Sequence, residues 1–344
     1  MKKAPYSRCL IILADGARPD VMQDLLHRGK LPYIDRYLVK RGTFKSITSV
    51  FPSTTGPAYL PYLTGCFPGT CNVPGIRWFD KQHYSKKGWS FKSFRSYVGL
   101  ETFLLNRDMH PDIKTAFDIY EKSFSIFNMV HRGIKKNNDL TRLSRIWYLY
   151  YAHLTDHWAM VDSVSLQKVL KAIDMNAEFI FANFPAIDEY SHRSSPFHPR
   201  TLKAYEELDA HVGVIMNKIR DKNMLEDTLV TIVADHGLSE THTHFDVGPY
   251  LEEKKGLKTF FYSQIFKFKF KAVSMVSGNG MSHLYFEGER GWQERLSFEE
   301  LSKMGLLLDE LRLRPEVDIV ACQGIDQSIH ILSEKGHGVY KVMG

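Results

Sequence analysis

Three uninterrupted apolar runs constrain this chain more than any other feature: residues 8–14 (RCLIILA), 178–184 (EFIFANF) and 228–234 (TLVTIVA). Apolar runs without polar alternation are the mark of strands buried on both faces, and such strands belong to parallel sheets covered by helices. Each run leads into acidic or acidic-histidine residues: Asp15-Gly16 after the first, Asp188, Glu189 and His192 after the second, and Asp235-His236-Gly237 after the third. In open α/β sheets the carboxyl edge is where ligands bind, so neighbouring strands would gather these side chains on one rim. A single Asp after a strand is an ordinary turn residue. Three such endings, two with histidine, point instead to a metal centre, because carboxylate oxygen and imidazole nitrogen are what zinc accepts besides thiolate. Manganese, iron or magnesium could occupy similar sites.

The intervening pattern alternates. Helices are expected at 19–27, 32–40, 165–174, 199–220 and 298–313, and further strands at 42–51, 271–276, 281–286, 317–321 and 329–332. In the 199–220 helix Tyr205, Leu208, Val212, Ile215 and Ile219 share one face. The expected fold is α/β, a mostly parallel central sheet with helices on both faces. The composition changes across 76–156, which is aromatic and basic (Trp78, Phe79, His83, Tyr84, Trp89, Phe91, Phe94, Arg95, Tyr97), with a strand expected at 123–130 and a helical run at 140–159. We read 1–75 and 157–344 as the catalytic core and 76–156 as an inserted cap. Core packing accounts for its aromatics; the functional alternative is a cover that offers stacking surfaces for a base, a sugar or a lipid tail.

At 344 residues the chain can bury a large core, and its net charge of +6 agrees with an anionic substrate without demanding one. Lys86-Lys87 and Lys135-Lys136 are only pairs, so no nucleic-acid-binding signature is present. Four cysteines, Cys9, Cys66, Cys71 and Cys322, are too few and too scattered for a disulfide framework or a thiolate zinc site. The apolar run ending at Ala14 is too short for a signal peptide or a membrane span, and a cytoplasmic protein is expected. The oligomeric state is open.

The stretch 50–65 (VFPSTTGPAYLPYLTG) places Ser53, Thr54 and Thr55 ahead of an apolar run opened by Pro57. Proline suits a first helical turn, so a helix is expected from about Pro57 with Thr55 or Gly56 capping it. A hydroxyl there is a candidate nucleophile beside a helix end that favours anions, once a base or a metal ion takes its proton.

Taken in order, Asp15-Gly16, Thr55-Gly-Pro with Thr64-Gly65 nine residues on, Asp188-x-x-x-His192 and Asp235-His236-Gly237 resemble the alkaline phosphatase superfamily, and within it the type I phosphodiesterase and nucleotide pyrophosphatase branch. The resemblance covers most of the chain outside 76–156. It implies that Asp15, Asp235 and His236 hold one metal ion that also takes the Thr55 oxygen, and that Asp188 and His192 hold a second. That second ion is joined in the family by a late histidine, here His337 in Gly336-His337-Gly338; His242, His244 or a ligand beyond this sequence are the alternatives. Two divalent ions are implied, zinc foremost, with manganese or iron possible. The implied reaction is attack of Thr55 on phosphorus, departure of an alcohol or phosphate, and hydrolysis of the phosphothreonine.

Two departures shape the expectation. Ala58 stands where nucleotide pyrophosphatases usually have Asn, so that phosphate-oxygen donor is missing or comes from elsewhere; Thr55 and Tyr59 stand where sulfatases need Cys or Ser and Arg. The expected function is metal-dependent hydrolysis of phosphodiester or phosphoanhydride bonds in a small-molecule substrate. The alternatives are a phosphomonoesterase or phosphonate hydrolase, and a non-catalytic binding module on the same fold.

Overall fold

The computed structural model describes residues 6–90, 92–262 and 267–341; Phe91, one of the aromatics of the expected cap, lies outside them. The chain forms two compact units, one of residues 1–76 and 96–240, the other of 77–95 and 241–344. The stretch expected as one inserted cap is therefore shared: 96–156 group with the main sheet, and 77–95 group with the C-terminal third.

In the first unit the apolar runs become β1 (Arg8–Ala14), β3 (Phe179–Phe184) and β4 (Thr228–Val233), and β2 (Ser123–Ile126) joins them. The order is β2-β3-β1-β4 and every pair is parallel. Leu13 lies opposite both Asn183 and Val233, so β3 and β4 end level with β1 on either side of it. Helices α1 (Pro19–His27), α2 (Leu60–Thr64), α3 (Trp158–Asp174), α4 (Ala186–Arg193) and α5 (Pro199–Asp221) cover the sheet. Leu10, Ile12 and Ala14 of β1 and Ile180, Ala182 and Phe184 of β3 share one buried cluster with Val21 and Leu25 of α1, Val161 and Val169 of α3, and Leu208 and Val212 of α5. On the opposite face Phe181 meets the ring of Tyr59, 5.9 Å away, from the turn that enters α2. Side chains two apart along a strand point the same way, so a continuous apolar run is what such two-sided cover requires.

Residues 42–51 are irregular, not a strand. No described strand pairs with them, and Ile47 and Phe51 are 67% and 76% exposed. A strand needs a neighbour for its N–H and C=O groups, and β propensity alone does not provide one. The run at 123–130 pairs only as far as Ile126, because Phe127 turns to φ +48°. The helical run at 140–159 breaks at Asp156, at φ +61°, between helix Arg145–Thr155 and α3, and the run at 298–313 breaks around Gly305, at φ +67°, into Phe298–Leu301 and Leu307–Arg312.

Beside the two-stranded pair of Arg77–Phe79 and Phe94–Ser96, the second unit carries two small sheets. In one, Thr259–Phe260 runs parallel to Ala272–Val276, which pairs antiparallel with Ser282–Phe286; the other is an antiparallel meander of Val320–Gln323, Ile329–Ser333 and Gly336–Tyr340. Phe79 and Phe94 pack with Phe260, Phe270 and Trp292, so these aromatics form a core.

Candidate active site

The sheet edge assembles the site. Asp15 is the first residue beyond β1, at the centre, and Asp235 follows β4 on one side of it. Asp188 and His192 come from α4, the helix that follows β3 on the other side, and their spacing of four puts both on one face. Gly16 permits the crowding. Its φ is +68°, and a Cβ there would lie 2.6 Å from Asp188 Oδ1, while its N–H donates to Asp235 Oδ1 at 3.3 Å.

Asp15, Asp188 and His236 each offer a ligand atom within 4.8 Å of the others. His236 Nε2 is 3.3 Å from Asp235 Oδ2 and 3.7 Å from Asp15 Oδ1, and its Nδ1 is 4.0 Å from Asp188 Oδ1. His192 Nε2 stands 3.5 Å from Asp188 Oδ1. Thr55 Oγ1 lies 3.1 Å from His236 Nε2 and 3.4 Å from Asp15 Oδ1. Six of the seven expected residues therefore converge. The seventh, His337, belongs to the second unit, where its Nε2 is 3.0 Å from His330 Nδ1 and its ring lies 5.1 Å from that of Phe298. His242 and His244 are exposed.

Thr55 is held by a short 3₁₀ turn, Pro57–Tyr59, leading into α2, rather than by a long helix, and no side chain caps it. Gly56 is at φ +94°, and a Cβ there would meet Met129 Cε at 2.9 Å, so the backbone turns where a bulkier residue would not fit. Tyr62 of α2 donates to the Ala234 carbonyl at 2.7 Å, tying this segment to the end of β4.

Two polar residues of the site were not among those expected. Tyr59, fully buried, donates to Asp15 Oδ2 at 2.6 Å, and Asn183 Nδ2 donates to the same oxygen at 3.1 Å and to Tyr59 Oη at 2.8 Å. One oxygen of Asp15 is thereby fixed and the other faces Thr55. The signals were present: Tyr59 is four residues beyond Thr55, and Asn183 is the one polar side chain in FIFANF.

The site is acidic and short of positive charge. Burial, reinforced by Asp15, pushes the Asp188 and Asp235 carboxyls well above the usual range, and burial then His236 push His192 down. Burial also raises Glu189, to about 7, and keeps the Tyr59 hydroxyl protonated as a donor. Asp188 Oδ1 and Asp235 Oδ2 are buried and meet no hydrogen-bond donor among the described residues. Buried carboxylate oxygens without donors, beside two imidazoles, form a donor set that suits a divalent cation. Arg145 Nε is likewise buried without a partner, and among the described residues the guanidinium forms no ion pair; its charge acts through space on Tyr59 and Asp139.

Residues 9–312 match the family model described as type I phosphodiesterase / nucleotide pyrophosphatase. The chain is 22% identical over 268 residues to GPI ethanolamine phosphate transferase 1 of Neurospora crassa, covering 72% of this chain and 25% of that protein. It is also 22% identical over 260 residues to human ectonucleotide pyrophosphatase/phosphodiesterase family member 1, covering 73% and 26%. It thus spans about a quarter of the length of these curated relatives. Among solved structures, phosphonoacetate hydrolase from Sinorhizobium meliloti in complex with phosphonoacetate superposes with TM-score 0.63 at 12% identity, covering 98% of this chain and 83% of that one. Murine ectonucleotide pyrophosphatase / phosphodiesterase 5 gives 0.56 at 11%, covering 92% and 72%. These superpositions show a shared fold.

Proposed function

Because the chain belongs to the type I phosphodiesterase / nucleotide pyrophosphatase family, we propose that it hydrolyses phosphodiester or phosphoanhydride bonds in a small-molecule substrate, with Thr55 as nucleophile and two divalent cations, zinc foremost. The observation that carries this reading is the placement of Thr55 Oγ1 within 3.4 Å of both Asp15 and His236, inside a cluster of buried carboxylates that lack donors. Asp15, Asp235 and His236 are the residues to hold one ion next to Thr55, and Asp188 and His192 to hold a second. Cations bound there supply Lewis-acid charge that eases ionisation of an alcohol and stabilises charge developing on phosphoryl oxygens.

The chain's own residues do the rest. Tyr59 and Asn183 fix Asp15 so that its free oxygen stays directed at Thr55. Thr55 gives up its proton as its oxygen bonds to phosphorus and the bond to the leaving alkoxide or phosphate breaks; water then cleaves the phosphothreonine and restores the hydroxyl. Arg145 supplies positive charge for a phosphate oxygen, a donor that Ala58 lacks. A cytoplasmic location is part of this proposal.

The test is hydrolysis of bis-nitrophenyl phosphate after chelation and after adding back zinc or manganese. The proposal expects cation-dependent turnover with a preference for the diester over nitrophenyl phosphate. A strong monoester preference would instead indicate a phosphomonoesterase, cleavage of phosphonoacetate a phosphonate hydrolase, and chelator-insensitive trace activity a binding module. Adding ethanolamine or methanol separates hydrolysis from transfer, because a transferase passes the phosphoryl group to the alcohol in preference to water.

A further inference from the structure

Helix Arg145–Thr155 (RIWYLYYAHLT) is apolar on both sides. Its inner face is accounted for: Ala152 is fully buried, and Tyr148 and Leu149 pack on the core of the first unit. Positions 143, 147, 150 and 154 repeat at helical spacing on the opposite side. There Leu143 is 90% exposed, Leu154 85% and Trp147 58%, with Ile146, Tyr150 and Tyr151 exposed beside them. The adjoining turn brings exposed Leu100 and one carboxylate, Glu101, close by, since a Cβ on Gly99 would lie 3.2 Å from Tyr150 Oη. A soluble surface helix ordinarily turns its polar side outward, and a contiguous apolar face marks a contact site.

Charge selects the occupant. Between 131 and 155 the exposed charges are Lys135, Lys136 and Arg142, and the single acid there, Asp139, is buried against His131. A two-fold contact between copies would set this basic surface against itself. Trp and Tyr rings over aliphatic side chains, flanked by Lys and Arg, match the boundary layer of an anionic bilayer. None of the described helices is long and apolar enough to cross a membrane, so the contact is with a surface.

We propose that the exposed face of helix Arg145–Thr155 docks the protein on anionic lipid membranes, with Trp147 and Leu154 entering the headgroup layer and Arg142, just ahead of the helix, meeting a lipid phosphate. This goes beyond the hydrolase reading and does not depend on it.

The test is co-sedimentation of the full chain with phosphatidylcholine vesicles, with and without phosphatidylserine, alongside its sedimentation coefficient in their absence. Binding is expected only to the serine-containing vesicles, weakening as salt is raised. Arg142→Ala is expected to lower the partition coefficient about fivefold, the effect of one basic charge near such a surface. Trp147→Ser combined with Leu154→Ser abolishes binding, while circular dichroism and bis-nitrophenyl phosphate turnover in solution stay unchanged. No binding to anionic vesicles overturns the proposal. So does a dimer in solution that the Trp147→Ser/Leu154→Ser variant dissolves, which assigns the face to a second copy.

Discussion

Tyr59 donates a 2.6 Å hydrogen bond to Asp15 from a fully buried position. The bond leaves Asp15 one oxygen to share with Thr55, so Tyr59 acts as a positioning residue for the proposed metal ligand. Tyr59→Phe keeps the ring packed on Phe181 and removes only the donor. Partners behind a metal ligand are typically worth about 10–100-fold in affinity. Zinc affinity, measured by competition with a chromogenic chelator, is expected to fall by that order while the variant stays folded. An unchanged affinity would remove Tyr59 from the account.

Removing the cations gives a pH dependence with a definite sign. Asp188 and Asp235 are held well above their ordinary range by burial and by Asp15, and Glu189 reaches about 7. Between the unfolded value near 4 and the raised folded values, the native state binds more protons than the unfolded one, so stability falls as pH rises. The chelated protein is expected to melt at a lower temperature at pH 8 than at pH 5, and saturating zinc to reverse that order, because a bound cation favours the ionised carboxylates. A chelated protein whose Tm rises from pH 5 to pH 8 would show that these groups are ionised without a cation.

Asp162 lies beneath α4. It is buried, its carboxyl is pushed well up by that burial, and it accepts the Ala186 N–H at 3.2 Å. A neutral carboxyl in that role predicts that Asp162→Asn is well tolerated. Asp162→Ala leaves a buried N–H unsatisfied, costing about 1–3 kcal/mol in urea unfolding, and loosens the helix that carries Asp188 and His192. Equal stability of the Asn and Ala variants would contradict this.

Arg145 is proposed to hold a phosphate oxygen. Arg145→Ala is expected to lower kcat/KM about 10–100-fold, as for a lost hydrogen bond between charged groups, chiefly through KM and with zinc affinity unchanged. An effect confined to kcat, or a parallel loss of zinc, would place Arg145 elsewhere in the mechanism.

The elements most legible in the sequence were those whose reason to form is local. The 8–14, 178–184 and 228–234 runs became strands with ends within a residue; burial on both faces accounts for the first two, whereas Thr228–Val233 lies at the edge of the sheet and is only partly buried, with Leu229 43% exposed. The carboxylates beyond them were legible for the same reason, as polar residues in fixed relation to strand ends. What depended on distant partners was not. Residues 42–51 have strand-like composition, but no described strand pairs with them. Phe79 and Phe94 belong with Phe270 and Trp292, a grouping across nearly two hundred residues that no local pattern records. Asn183 and Tyr59 were hidden because a lone polar residue in an apolar strand and a tyrosine in an apolar helix both read as packing until Asp15 is placed between them.

Thr55 is proposed as the nucleophile of a cation-dependent phosphodiester hydrolysis, from its place within 3.4 Å of Asp15 and His236. The most direct measurement is bis-nitrophenyl phosphate turnover by the native chain and by Thr55→Ala, each stripped by chelator and then titrated with zinc. Zinc is expected to restore turnover only to the native chain, with the variant slower by about three orders of magnitude or more, although it binds zinc and melts like its parent. Zinc-dependent turnover of Thr55→Ala at a rate close to that of the native chain would contradict that role for Thr55.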